Sequence, residues 1–260
     1  MRSRFALTFL QIFVILTFLI FWHLGAVLGY LDSFFFFRPW DVMARTWNDF
    51  VSGVIWRHLW ITLVETVLAF VIGSVGGVLA GFWLARRELL STIFQPYLKA
   101  VNAMPRVVLA PIFALWFGLG IWSKVALGVT LVFFIVFFAV YQGVKEVNPV
   151  LVANARMLGM SERQMLRHLY FPAALSWMFA SLHTAVGFAV VGAVVGEYLG
   201  SAAGLGYRIQ QAEGSFDVTG VFSGMLVLVI FVLLIDGLVT LVERRLLVWR
   251  PRAASTGLQG

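Results

Sequence analysis

The stretch that decides the reading is Asn148-Pro149-Val150-Leu151-Val152-Ala153-Asn154-Ala155-Arg156-Met157-Leu158-Gly159-Met160-Ser161-Glu162-Arg163-Gln164-Met165-Leu166-Arg167-His168-Leu169-Tyr170-Phe171-Pro172. Its local chemistry predicts two helices with a sharp break between them. Asn148 is a good N-cap and Pro149 suits the first helical position, where a missing N–H costs nothing. Gly159 suits the left-handed position that ends a helix. Ser161 starts a second helix, and Gln164, three residues on, completes a capping box. Pro172 is expected to limit that helix. The surface of this elbow mixes Met157, Leu158 and Met160 with Arg156, Glu162 and Arg163. A rigid, partly apolar knob of this kind suits docking into another protein, whereas a plain interhelical loop needs no such ordered break.

Outward from the elbow the chain is strongly apolar. Of its 260 residues, 61% are hydrophobic and 12% are charged, about half the charged share of a soluble domain. Mean hydropathy is +0.94. Six segments approach the ~20 apolar residues that cross a bilayer as a helix. They are Phe5–Leu31, Leu59–Ala85, Val107–Trp122, Val125–Tyr141, Ala173–Leu199 and Val221–Val242. Helix is the only open-ended conformation that satisfies the backbone in lipid, and the alternation of barrel strands is absent. The expected fold class is therefore all-α, a multi-pass membrane protein with six transmembrane helices. The expected divisions are a first helix and outer loop (1–58), a five-helix core (59–245) carrying the elbow at 148–172, and a tail (246–260). Met1-Arg2-Ser3-Arg4 before an apolar run resembles a signal peptide. The run is long and no small-x-small cleavage site follows, so it reads as a retained first helix.

Charge sets the orientation. The net charge of +7 would fit nucleic acid, but Lys and Arg sit between and beside the apolar runs. Of the 19, only Arg38, Arg45, Arg57, Lys124 and Arg208 fall on one side, together with Asp32, Asp41, Asp49, Glu213 and Asp217. The remainder, with the elbow, fall on the other. By the positive-inside rule that side is cytoplasmic, as are both termini. There are no cysteines, which removes disulfides and thiolate chemistry.

Glu65, His183, Glu197 and Asp236 fall within or at the edge of apolar spans. Ionisable groups there pair with one another or face a water-filled path. Pairing, for instance of Glu65 with an Arg, is the plain reading; His183 and Glu197 are the better path candidates. Small residues recur at Ala69, Gly73, Gly77, Gly81 and Ala85, and again at Ala185, Ala189, Ala193, Gly192, Gly196 and Gly200. Such stripes let helix backbones approach closely, within one chain or at a subunit interface.

The elbow resembles the EAA motif of ABC-importer permeases, with Glu-Ala-Ala, three residues, Gly, nine residues and Ile-x-Leu-Pro. Ala155 matches the last alanine and Gly159 the glycine. Met160 to His168 supply the nine residues, and Leu169-Tyr170-Phe171-Pro172 the final slot. Ala153 replaces the glutamate and Asn154 the first alanine. Two further stretches look like the nitrate/sulfonate/taurine-type branch. One is Met104-Pro105-Arg106-Val107-Val108-Leu109-Ala110-Pro111-Ile112-Phe113-Ala114-Leu115-Trp116-Phe117-Gly118-Leu119-Gly120. The other is Gly196-Glu197-Tyr198-Leu199-Gly200 followed by Gly204-Leu205-Gly206-Tyr207.

That resemblance implies a type I ABC-importer permease fold in a bacterial inner membrane. It implies two facing permease copies, two ATPase subunits and an extracytoplasmic substrate-binding protein. ATPase docking falls on Ala155, Arg156, Met157, Leu158, Gly159, Met160, Ser161, Glu162, Arg163 and Pro172. Pro111, Phe113, Trp116, Phe117, His183 and Glu197 are candidates for the path or its gate. The cargo implied is a small organic or inorganic anion such as a sulfonate, taurine or nitrate, or an aromatic acid. Lys124 and Arg208 are placed to attract it. The chain has no G-x-x-x-x-G-K-[ST] loop, so ATP and Mg are expected on the partner ATPase and no cofactor or metal here. A membrane enzyme would gather His, Asp or Glu at one depth, but His23, His58, His168 and His183 are scattered. A secondary transporter or channel would need inverted repeats, which are not evident, and would leave the elbow unexplained.

Overall fold

The computed structural model describes residues 2–31 and 37–246. Every regular element within them is a helix. In order come α1 (Arg2–Val27), α2 (Pro39–Val51), α3 (Val54–Ala85), α4 (Glu88–Ala103) and α5 (Ala110–Phe117). They are followed by α6 (Ile121–Lys145), α7 (Pro149–Met157), α8 (Glu162–Met165), α9 (Phe171–Leu199), α10 (Leu205–Gly214) and α11 (Val218–Leu246). Arg250, Arg252 and most of the expected 246–260 tail lie outside the described residues, as does Asp32.

Five helices are long and apolar enough to cross a membrane: α1, α3, α6, α11 and a helix running from Glu162 to Leu199. A sixth span exists only if α4 and the segment Arg106–Phe117 count as one, and these are bent by 82°. The expected third span, Val107–Trp122, is thus not a single helix. Its prolines and glycines explain why. Met104 is extended (ψ 132°), as a residue before proline must be. A short 3-10 turn covers Arg106–Leu109, α5 starts with Pro111 in its first turn, and Gly118 ends it at φ +74°. The expected outer loop before residue 59 also contains regular structure, the amphipathic α2.

The chain divides into two compact units. One comprises the described parts of Met1–Glu65, Val107–Val125 and Ala193–Ile230; the other, those of Thr66–Arg106, Ala126–Gly192 and Phe231–Gly260. In the second, Ala69, Val132, Val136, Val140, Ala185 and Ala189 are fully buried together. The small residues act there as packing surfaces between helices of one chain. A Cβ at Gly77 would lie 2.7 Å from the carbonyl oxygen of Phe133, and one at Gly192 would lie 2.4 Å from the Cα of Gly128. Gly192→Ala is therefore expected to push α6 and α9 apart, at a cost of about 1–3 kcal/mol. Thermal unfolding in detergent would show it as a lowered midpoint, and an unchanged midpoint would contradict the packing role.

In the first unit α2 is held to its surroundings by side chains. Thr46 hydrogen-bonds Ser223 (2.9 Å). Arg208 donates to Asp49 (2.8 Å), and Arg45 lies 3.7 Å from both Asp49 and Asp217.

Candidate functional site

The elbow forms from its own local chemistry. The Asn148 side chain accepts a hydrogen bond from the Val150 N–H (2.9 Å), with Pro149 in the first turn. At the other end Gly159 has φ +73°. Its N–H donates to Arg156 O and the Met160 N–H to Ala155 O, both at 3.0 Å. This is the paired bonding of a Schellman termination. Ser161 then caps α8: the Gln164 N–H donates to Ser161 Oγ (3.3 Å), and the Ser161 N–H donates to Gln164 Oε1 (2.8 Å).

Pro172 does not end the second helix as expected. The chain stays helical from Glu162 to Leu199. A regular α-helix there would drive the proline ring into the carbonyl of residue 168. The chain instead widens into a π turn over Leu166–Tyr170, with the Phe171 N–H donating to Leu166 O. One extra residue in the turn removes the conflict and lets the helix continue.

Two residues fix the elbow to its unit: Ala155 and Met165 are buried. An ion pair between Arg86, just past the end of α3, and Glu162 adds a polar tie. Ala153, where the motif has glutamate, is exposed. The tip is open and apolar: Met157 is 84% and Leu158 83% exposed. Arg156, Gly159, Ser161 and Arg163 are exposed around it, and Met160 is half-buried.

A second polar site lies in the first unit. Lys124, Glu65 and Glu197 are each only 1% exposed. The Lys124 ammonium donates to the carbonyls of Leu119, Gly120 (3.0 Å) and Gly200 (2.7 Å). It lies within electrostatic reach of both carboxyls. Glu197 accepts from Thr62 Oγ1 (2.6 Å) and from the Gly206 N–H (2.7 Å). Thr62 in turn accepts from the Leu205 N–H (2.9 Å). Glu65 Oε2 is buried without a hydrogen-bond partner. The cluster joins α3, the start of α6, the end of α9 and the turn into α10.

The glycines around it are sterically required. A Cβ on Gly196 would stand 2.7 Å from Lys124 Cγ. Gly204 has φ +117°, and a Cβ there would fall 2.1 Å from the Glu197 carboxyl carbon. Glycine is the residue that tolerates both demands. The Gly-Glu-Tyr-Leu-Gly and Gly-Leu-Gly-Tyr stretches singled out in the sequence are thus the two halves of one packed polar joint.

This changes several expected roles. Lys124 is buried and saturated, so it is not placed to attract an anion. Arg208 is paired with Asp49. Glu197 sits inside the joint rather than on an open wall, and Glu65 meets Lys124 and Glu197 rather than an arginine. His183 of α9 hydrogen-bonds Asp236 of α11 (3.1 Å) in the second unit. Of the aromatic gate candidates, Phe113 is buried, while Trp116 and Phe117 are exposed. Pro111 lines an open, mostly apolar cavity of ≈ 480 Å³ with Ala114, Leu115, Leu119, Gly196 and Gly200. Among the described residues no group of His, Asp or Glu is arranged to hold a metal ion.

An elbow of this geometry on an all-helical membrane chain defines a class. The chain belongs to the family of binding-protein-dependent transport system inner membrane components, whose model matches residues 73–248. It is a transport permease subunit of an ABC importer and carries the type I permease fold. Two relatives show how close the match is. The formylaminopyrimidine transport permease protein ThiX of Halalkalibacterium halodurans is 34% identical over 82% of this chain and 85% of its own. The putative aliphatic sulfonates transport permease protein SsuC of Bacillus subtilis is 29% identical over 88% and 83%. The fold matches a chain of the MetNI methionine ABC transporter, solved in inward facing conformations. The TM-score is 0.64 at 20% identity, covering 75% of this chain and 97% of that one.

Proposed function

We propose that this chain builds the translocation path of an ATP-driven importer in a bacterial inner membrane, as one of two identical permease copies. Two ATPase subunits stand on the cytoplasmic side with both permease termini, and they bind the ATP and Mg. A binding protein delivers cargo from the other side. The elbow seats in a groove of the ATPase, and nucleotide-driven closure moves the permease between two packings. ATP and loaded binding protein each favour one of them.

The observation that carries this reading is the elbow tip. Met157 and Leu158 stand exposed on a turn whose every backbone feature is fixed by a cap, a glycine or a capping box. An apolar tip held this rigidly in water is unfavourable unless a partner covers it. The test is copurification of the ATPase with Met157→Asp and Leu158→Asp. Association should fall at least tenfold, which corresponds to about 1.4 kcal/mol. The permease should remain monodisperse, since neither side chain packs within the chain. Undiminished association and uptake would refute the docking role.

The cargo we infer is a small anion of the sulfonate, taurine or nitrate kind, or an aromatic acid. The support is the resemblance of the 104–120 and 196–207 stretches and the SsuC relative. ThiX is named for a formylaminopyrimidine, and the binding protein supplies much of the selection in such systems. A ligand screen on the cognate binding protein decides it: capture of a neutral heterocycle but no anion would overturn the cargo assignment and leave the importer reading intact.

A further inference from the structure

We propose that α2 lies along the bilayer surface, with Trp40, Met43, Trp47 and Val51 seated in the boundary between lipid headgroups and acyl chains. The protein accounts for two faces of the helix, and a polar one with Asp41, Ala44 and Asn48 is exposed. Val42 and Thr46 are buried, and Thr46 is bonded to Ser223. Arg45 and Asp49 meet Asp217 and Arg208. The remaining face carries Trp40, Met43, Trp47 and Val51, all exposed. At about 100° per residue these four fall within roughly 80° of arc.

A stripe of two tryptophans, a methionine and a valine is poorly placed in water. Nor is α2 a span. Thirteen residues reach only about 20 Å, against ~30 Å of hydrocarbon. It also carries Asp41, Arg45 and Asp49. What remains is the interface, where an amphipathic helix lies flat and tryptophan is enriched. The connection fixes the depth. Only Ser52 and Gly53 (φ +80°) separate α2 from the apolar α3. The 32 residues of α3 run about 48 Å, longer than the hydrocarbon and close to the ~40–45 Å that includes the headgroups. Its end therefore stands at headgroup level. Val54, Trp56 and Trp60 at the start of α3 are exposed as well, with Trp56 packed edge-on to Phe50 (5.5 Å).

The 260 residues contain no cysteine, so single cysteines can be placed in this chain without other changes to it. Met43→Cys, Val51→Cys and, on the polar face, Asn48→Cys would each carry a nitroxide in vesicles of phosphatidylethanolamine and phosphatidylglycerol. None of the three side chains is buried, so folding is not at risk. Collision with oxygen, which concentrates in the bilayer, is compared with collision with a water-soluble nickel chelate. Oxygen should exceed nickel several-fold at positions 43 and 51, and the order should reverse at 48. Nickel favoured at 43 and 51 would place the stripe in water and overturn the proposal. Exclusion of both reagents there would show a protein cover, whether a second copy or the binding protein, and would overturn it equally.

Discussion

Lys124→Met is expected to abolish most of the folded permease. The ammonium satisfies the carbonyls of Leu119, Gly120 and Gly200 and is the cation facing Glu65 and Glu197. Removing one partner of a buried charge set typically costs about 3–5 kcal/mol, set against a total stability of roughly 5–15 kcal/mol for ordinary domains. The loss should appear as a collapse of the monodisperse peak in size-exclusion chromatography and a lowered unfolding midpoint. Glu65→Gln should be mild, because the amide can still donate to the neighbouring Glu197 carboxyl and Oε2 has no hydrogen bond to lose. That change keeps the side-chain shape and leaves Lys124 balanced by Glu197. Combined with Lys124→Met it should recover part of the lost protein, since one titratable carboxyl fewer is buried beside Glu197 without a cation. A Lys124→Met variant with wild-type yield and uptake would show that the joint does not depend on its charge.

Gly159→Trp is expected to uncouple transport while leaving the membrane part folded. The residue sits at φ +73°, and a Cβ there meets nothing within 4 Å. The steric cost inside the chain is therefore only the left-handed backbone, about 1–2 kcal/mol for an L-residue. That is too little to unfold the permease. It is enough to break the Schellman bonds from Gly159 and Met160 and re-aim the tip, and the bulky ring then projects from the docking face. Uptake and ATPase copurification should each fall tenfold or more. Gly159→Asn should retain both, because asparagine visits this backbone region. If Gly159→Trp copurified and transported normally, the elbow would not be the docking element.

What was legible in the sequence follows from the range of the interactions. Asn148, Pro149, Gly159, Ser161 and Gln164 act over four residues or fewer, and each does what its chemistry predicts. Pro172 was misread because a proline stops a helix only if the preceding turn stays α; the π turn at Leu166–Tyr170 lets the chain pass. The third span differs from its expectation because hydropathy averages over a window and ignores Pro111 and Gly118, between which α5 is confined. The partners of Glu65 and Lys124 were not legible at all. They lie on segments far apart in the chain, and residue types alone do not say which of two carboxylates meets which cation. The apolar face of α2 left a usable trace, a 3.6-residue period over Pro39–Val51, hidden by its charged residues and its place between two longer apolar runs.

The π turn ahead of α9 also governs which way the elbow points. Each residue of an α-helix turns the chain by about 100°, so one additional residue within Leu166–Tyr170 changes azimuth far more than height. The exposed tip at Met157 and Leu158 is thus aimed by an insertion in the helix beneath it. Over evolutionary time a single-residue deletion there would swing the tip sideways, which makes the count of residues between Gly159 and Pro172 a specification of compass bearing.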